Sequence, residues 1–232
     1  MQIKFFEEEK DFIDKSANFI YKLISTYLKK KNEFTLMLSG GKTPIPVYNK
    51  LGEEYKNKIN WQNVHLFWGD ERYVDKSSDL SNFKPAFDSL ISKIEIPDKN
   101  VHRIKTELEL EKAAKEYEKE IVNFFENDEP VFDLIMLGLG NDGHTASIFP
   151  DSEIINEHER LVVNTAPYGS PKVPRITVTY KILDKAENIL FLSSYKGKEK
   201  IIDQIIKEPK IAEKKYPAAK VNAKNIFMYI KK

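Results

Sequence analysis

Phe132-Asp133-Leu134-Ile135-Met136-Leu137 runs without a break into Gly138-Leu139-Gly140-Asn141-Asp142-Gly143-His144. A nearly unbroken apolar run followed by closely spaced glycines describes a strand buried on both faces that ends in a tight loop. Two earlier stretches follow the same pattern. Phe34 to Leu38 (FTLML) stops at Ser39-Gly40-Gly41, and Val64 to Trp68 (VHLFW) stops at Gly69-Asp70-Glu71-Arg72. Between such strands lie amphipathic segments. Ile13, Ala17, Ile20, Ile24 and Tyr27 recur at spacings of three and four, which predicts a helix over Asp11 to Lys30. Another begins near Pro44, since proline suits a first turn, and further helices are expected over Leu80 to Lys93, Glu107 to Phe125 and Gly197 to Lys207. Leu161 to Asn164, Arg175 to Thr179, Asn188 to Leu192 and Asn225 to Ile230 supply the remaining expected strands. Strands alternating with helices predict an α/β fold, a mostly parallel sheet with helices on both faces, and no linker divides residues 1–232 into separate domains. In such a sheet ligands bind beyond the carboxyl ends of the strands, so the three loops should share one cleft.

The totals exclude several classes. Across 232 residues, 37 basic side chains balance 36 acidic ones, and a formal charge of +1 provides no global field for nucleic acid or an anionic membrane. Any anion must be held by a local cluster. The absence of cysteine removes disulfides, thiolate metal sites and cysteine nucleophiles. Charges at Lys4, Glu7, Glu8, Glu9 and Lys10 interrupt what a signal peptide would need as an apolar core, and no apolar run is long enough to span a bilayer. A soluble cytoplasmic protein is expected, a monomer or weak homo-oligomer, with no nucleic-acid or membrane partner.

The loops carry the chemistry. In Ser39-Gly40-Gly41-Lys42-Thr43-Pro44 the glycines let backbone amides approach a ligand and Thr43 is placed to cap the next helix, a combination that favours phosphate. An ordinary strand-to-helix turn has the same composition. A Walker A loop is excluded because Leu36 occupies the position where that motif needs its first glycine. The second loop gathers Asp70, Glu71 and Arg72, as a local ion-pair turn would too. In the third, His144 follows Asp142 by two positions, so the carboxylate can orient the imidazole as a general base requires, although a helix-capping histidine fits the same spacing. Ser147 lacks the G-x-S-x-G elbow and falls in an expected helical turn. His65, His102 and His158 sit in separate segments without metal-ligand spacing. Gly138, Gly140 and Gly143 imitate a dinucleotide fingerprint, but no acidic residue follows on a neighbouring strand.

Taken in order, SGGKTP, WGDERYV and GLGNDGHTASIFP, with Ser81-Asn82, Pro174-Arg175-Ile176-Thr177 and Tyr216-Pro217-Ala218-Ala219, resemble the 6-phosphogluconolactonase family and span most of the chain. That family shares a three-layer α/β/α architecture with the glucosamine-6-phosphate isomerase/deaminases. The deaminase branch typically continues from the histidine with Ile-Ala-Phe-Asn-Glu-Pro, and here Thr145-Ala146-Ser147-Ile148-Phe149-Pro150 contains no glutamate. Deaminases also tend to have Asp-Glu-Tyr where this chain inserts Arg72 between Glu71 and Tyr73. Lys42 departs mildly from the lactonase pattern, where a small residue is common. The resemblance implies that a phosphorylated sugar lactone binds with its phosphate near Ser39, Gly40, Gly41, Lys42 and Thr43, beside Asp70, and with Arg72 and Arg175 as cationic contacts. It implies that His144 activates water, that Asp142 holds the ring, and that no metal or organic cofactor takes part. Lys196 and Lys198 are further cationic candidates, and a non-catalytic sugar-phosphate sensor on the same fold remains the alternative from another class.

Overall fold

The computed structural model describes residues 1–126 and 129–232. In chain order the elements are β1 (Gln2–Phe6), α1 (Glu9–Tyr27), β2 (Phe34–Leu38), α2 (Ile45–Glu54), β3 (Val64–Trp68), β4 (Asp70–Arg72), α3 (Phe83–Ser89), β5 (Val101–His102) and α4 (Leu110–Phe125). They continue with β6 (Leu134–Gly138), β7 (Val162–Tyr168), β8 (Val173–Val178), α5 (Tyr180–Leu183), β9 (Asn188–Ser194), α6 (Glu199–Lys207), α7 (Pro209–Lys215), α8 (Pro217–Lys220) and β10 (Asn225–Lys231).

Seven strands form one sheet in the order β1-β10-β9-β6-β2-β3-β5, and every neighbouring pair is parallel. All residues of β2 and β3 are buried. A strand with no solvated face must be covered from both sides, and flanking helices supply that cover. From β2 the chain moves outward to β3 and β5. It then returns to β6 on the other side of β2 and proceeds outward through β9 and β10. The sheet therefore reverses direction between β2 and β6, and crevices at the carboxyl ends of such switch points are where ligands bind in open α/β sheets.

The segments around 161–179 are a correction. Expected as members of the main sheet, they pair antiparallel with each other as β7 and β8, and β8 pairs antiparallel with β4 in a separate sheet of three strands. Gly69 makes the junction. Its amide donates to the Leu38 carbonyl at the end of β2, while its own carbonyl accepts from Val178 at the end of β8. The chain thus steps from the buried sheet onto a small platform within a single residue.

Other boundaries move for local reasons. The helix expected from Glu107 starts at Leu110, because Glu109 accepts from the amides of Glu111 and Lys112 and so acts as the cap. The segment Leu80 to Lys93 breaks into α3 and a single tight turn at Ile91–Lys93. No helix follows His144. Ala146 adopts a left-handed φ of 47°, Thr145 and Ile148 close a bridge, and Ser147 lies in a turn. Strand β1 gave no sequence signal because it is an edge strand paired only with β10, and its side chains are mostly exposed. Among the described residues no helix is long and apolar enough to cross a membrane.

The histidines placed in separate segments also meet. His65 on β3 has Nδ1 at 3.0 Å from His102 Nε2 on β5, and His102 Nδ1 lies 2.9 Å from Glu120 Oε1 on α4. Adjacent parallel strands bring together what the sequence separates by 37 positions. Burial holds His65 below its ordinary value, against the opposing pull of Glu33 and with repulsion from His102 added. A histidine that resists protonation in the fold stabilises it above the unfolded value of about 6.5, and that contribution is lost as pH falls through the lower folded value. Unfolding free energy measured by urea titration is therefore expected to fall as pH drops below about 6.5, and His65→Gln should flatten part of that fall. Superimposable acid limbs for the two proteins would remove His65 from the effect.

Candidate active site

Two buried tyrosines set the ends of the central strands. Tyr48, from α2, donates its hydroxyl to the Ser39 carbonyl at 2.8 Å and accepts from the Ser39 amide at 3.0 Å. Tyr117, from α4, does the same for Trp68, at 2.9 and 2.8 Å. Each hydroxyl satisfies both backbone groups of the residue where a strand gives way to a loop, which fixes the loop's point of departure. Burial pushes both phenols far above their ordinary value, so they remain neutral donors.

At the switch point those loops enclose a cleft of about 210 Å³. Ser39, Gly40, Gly41, Lys42, Thr43, Asp70, Arg72, His144 and Arg175 all line it, so nearly every residue singled out in the sequence converges here. Asp142 sits behind His144 rather than on the wall. Lys198 is on the wall and Lys196 is not. Thr43 does not cap α2. The residue before that helix is Pro44, and no side chain there accepts from its amides.

One end of the cleft is cationic. Arg72 on β4 and Arg175 on β8 are directly opposite in the antiparallel register, so their side chains share a face. Like charges in that position repel, and burial compounds the cost by pushing the Arg175 guanidinium below its usual value, with Asp70 pulling the other way. Arg175 is held by carbonyls, Nε donating to Tyr168 and Nη2 to Pro171, with Nη1 at 3.9 Å from Asp70. Arg72 donates through Nη1 to the Leu80 carbonyl. Burial alone depresses the Lys198 ammonium. Ser39 Oγ, Arg72 Nε and Asn82 Oδ1 are buried polar atoms on this wall with no hydrogen-bond partner among the described residues. Such atoms are costly unless a ligand or water meets them.

Neighbouring carboxylates are tied into hydrogen-bond networks. Asp70 Oδ2 accepts from Ser147 Oγ at 2.6 Å, and Oδ1 accepts from Asn82 Nδ2 at 3.2 Å. Ser147 is therefore a support for Asp70, which in turn faces Arg175. Glu71 is buried and accepts from the amides of Arg72, Asn82 and Phe83 and from the Ser81 hydroxyl. Burial pushes its carboxyl up, and the hydrogen bonds from Asn82, Phe83, Arg72 and Ser81, which fill both oxygens, pull it back. Asn82, Ser147 and Phe149 escaped the sequence reading of the site. All three lay within the family pattern, Asn82 in Ser81-Asn82 and the other two in GLGNDGHTASIFP, but no local feature assigned them a place in the cleft.

The other end holds an acid–base pair. His144 Nδ1 lies 2.6 Å from Asp142 Oδ1, and the His144 amide also donates to that oxygen at 3.0 Å. Burial would raise Asp142, yet these two hydrogen bonds outweigh it and hold the carboxyl below its ordinary value. An ionised acceptor requires the proton on Nδ1, which leaves the lone pair on Nε2. Phe149 packs between the two ends, its ring 4.5 Å from His144 and 5.4 Å from the Arg175 guanidinium. Gly140 is required by close approach, since a Cβ there would fall 2.1 Å from His144 Nδ1.

The family model described as glucosamine-6-phosphate isomerases/6-phosphogluconolactonase matches residues 7–229. The chain belongs to this family. A 6-phosphogluconolactonase of Thermotoga maritima is 42% identical over 202 residues, covering 86% of this chain and 87% of the relative. A 6-phosphogluconolactonase of Synechocystis is 35% identical, covering 84% and 80%. A crystal structure of a Thermotoga maritima 6-phosphogluconolactonase superposes with a TM-score of 0.88 at 38% identity, over 100% of this chain and 99% of that one.

The Glu71 network is testable as stability. Glu71→Gln places an amide NH₂ among backbone N–H donors and is expected to lower unfolding free energy by about 1–3 kcal/mol. Urea denaturation would show the loss as an earlier midpoint, and an unchanged midpoint would contradict the role of both Glu71 oxygens as acceptors.

Proposed function

We propose that the chain hydrolyses 6-phospho-D-glucono-1,5-lactone to 6-phospho-D-gluconate in the oxidative pentose phosphate pathway, with His144 as general base. The observation that carries this reading is a histidine oriented by an ionised aspartate at one end of a cleft and two arginines directly opposed at the other. The names borne by its relatives supply the lactone.

The substrate's phosphate sits against Arg72, Arg175 and Lys198, with the Ser39 hydroxyl and the amides of Gly40 and Gly41 as neutral donors. A dianion there relieves the repulsion between the opposed guanidiniums and satisfies buried groups at once. With the phosphate fixed, the lactone carbonyl lies near His144. Nε2 takes a proton from water as the water oxygen attacks the carbonyl carbon. When the tetrahedral intermediate collapses, the bond to the ring oxygen breaks and His144 returns the proton to that oxygen, freeing a hydroxyl and a carboxylic acid whose remaining proton is lost to solvent. Asp142 stays ionised and stabilises the transient imidazolium through Nδ1. Asp70 keeps Arg175 in place rather than touching substrate.

Two outcomes follow. Unphosphorylated gluconolactone should be a poor substrate, and Arg72→Gln should raise KM about ten- to a hundredfold, the scale of one charged hydrogen bond. Equal kcat/KM for the phosphorylated and bare lactones would refute the cationic end as a phosphate site. His144→Gln should leave KM nearly unchanged and lower kcat by roughly 10² to 10⁴. A folded His144→Gln protein with wild-type kcat would take the histidine out of the chemistry.

A further inference from the structure

The Tyr216-Pro217-Ala218 segment, far from the cleft in sequence, grips the loop that carries the acid–base pair. Gly143 has a φ of 89°, and a Cβ built on it would lie 2.4 Å from Cδ1 of the Tyr216 ring, so the ring packs against a position that only glycine can fill. The amide of Ala218 donates to the Gly143 carbonyl at 2.9 Å. Inside the loop, Gly140 donates to the His144 carbonyl and Gly143 to the Gly140 carbonyl, so any shift of Gly143 is passed directly to His144.

Tyr216 is itself anchored. Its hydroxyl donates to Gln204 Oε1 of α6 at 2.9 Å, its amide donates to the Ala212 carbonyl, and the residue is 6% exposed. The ring stands between two clefts. One, about 270 Å³, is lined by Asn141, Asp142 and Lys215 on the outer side of the loop, and the other, about 340 Å³, is lined by Pro150, Asp151 and Lys214. With space on both sides, the ring and the Ala218–Gly143 hydrogen bond are what this segment sets against outward relaxation of residues 141–143.

We propose that Tyr216 is a positioning residue for catalysis, whose ring holds Gly143 so that the Asp142–His144 hydrogen bond keeps its geometry. This rests on the lactonase reading for its kinetic consequence. Its structural consequence, a fixed His144 tautomer, does not depend on that reading. The ring carries the effect, and the hydroxyl only orients the ring.

The test compares Tyr216→Leu with Tyr216→Phe, using steady-state lactonase kinetics and ¹⁵N spectra of the histidine side chains, with the His144 signals assigned by their loss in His144→Gln. In the wild type the two His144 nitrogens should be distinct, one protonated and one bare. In Tyr216→Leu they should move toward each other as the tautomers interchange, while kcat falls about tenfold or more and KM changes by less than about twofold, because misplacement at the reacting centre costs rate rather than remote binding. Tyr216→Phe should keep separated nitrogen signals and a kcat within about threefold of wild type. Wild-type kcat and wild-type His144 signals in Tyr216→Leu would overturn the proposal, as would a rise in KM with kcat intact. If Tyr216→Leu does not fold, Tyr216→Met takes its place under the same criteria. Should the wild type lack lactonase activity, the nitrogen signals alone decide the inference.

Discussion

Parallel hydrogen bonding among strands with no solvated face is the constraint on which everything else rests. β2 and β3 are entirely buried, and β6 nearly so. Because these strands run in one direction, every loop leaving a carboxyl end emerges on the same side of the molecule. The reversal of order between β2 and β6 then keeps two of those loops from being covered by a crossover helix. The glycine-rich loop after β2 and the loop carrying His144 after β6 line one cleft as a consequence of topology, before any side chain has been chosen.

The chain stiffens this crevice with polar groups that do no chemistry. Tyr48 and Tyr117 close the open backbone groups where β2 and β3 end. Glu71 ties the second loop to the start of α3, and Ser147 and Asn82 occupy the oxygens of Asp70. Each of these contacts fills a hydrogen-bonding group that burial would otherwise leave unsatisfied, so the network resists rearrangement. Against that rigid background the unpaired atoms stand out. Arg72 Nε, Ser39 Oγ and Asn82 Oδ1 lie together on the cleft, next to two guanidiniums forced into register. Dipoles held in place before a ligand arrives need little reorganisation during reaction.

How far this was legible in the sequence depended on the range of the interactions. The strands FTLML, VHLFW and the apolar part of FDLIML, and the helices between them, are written in local periodicity, and their expected positions agree with the structure to within a few residues. The Asp142–His144 pair was legible for the same reason, since two positions of separation in a tight turn leave the side chains within reach. The three loop motifs also pointed to the family, and with the Pro174-Arg175-Ile176-Thr177 segment they singled out Arg72 and Arg175, which the structure places on one cleft.

Other features arise from contacts that no local pattern encodes. The antiparallel platform of β4, β8 and β7 uses strands whose alternation resembles that of any half-buried strand, so only pairing through Gly69 separated them from the main sheet. Ser147 was read as lying in a helical turn, and the left-handed Ala146 instead directs its hydroxyl to Asp70, 77 positions away. Tyr216 meets Gly143, and His65 meets His102, only after the sheet has set the strand order. The sequence alone determined the elements, the family and the two residues that form the acid–base pair, because periodicity and short-range geometry act within a few residues. The tertiary structure decided which strands pair, which partners hold the site's carboxylates and what holds its loops in place, because those depend on contacts between segments that meet only when the apolar faces are buried.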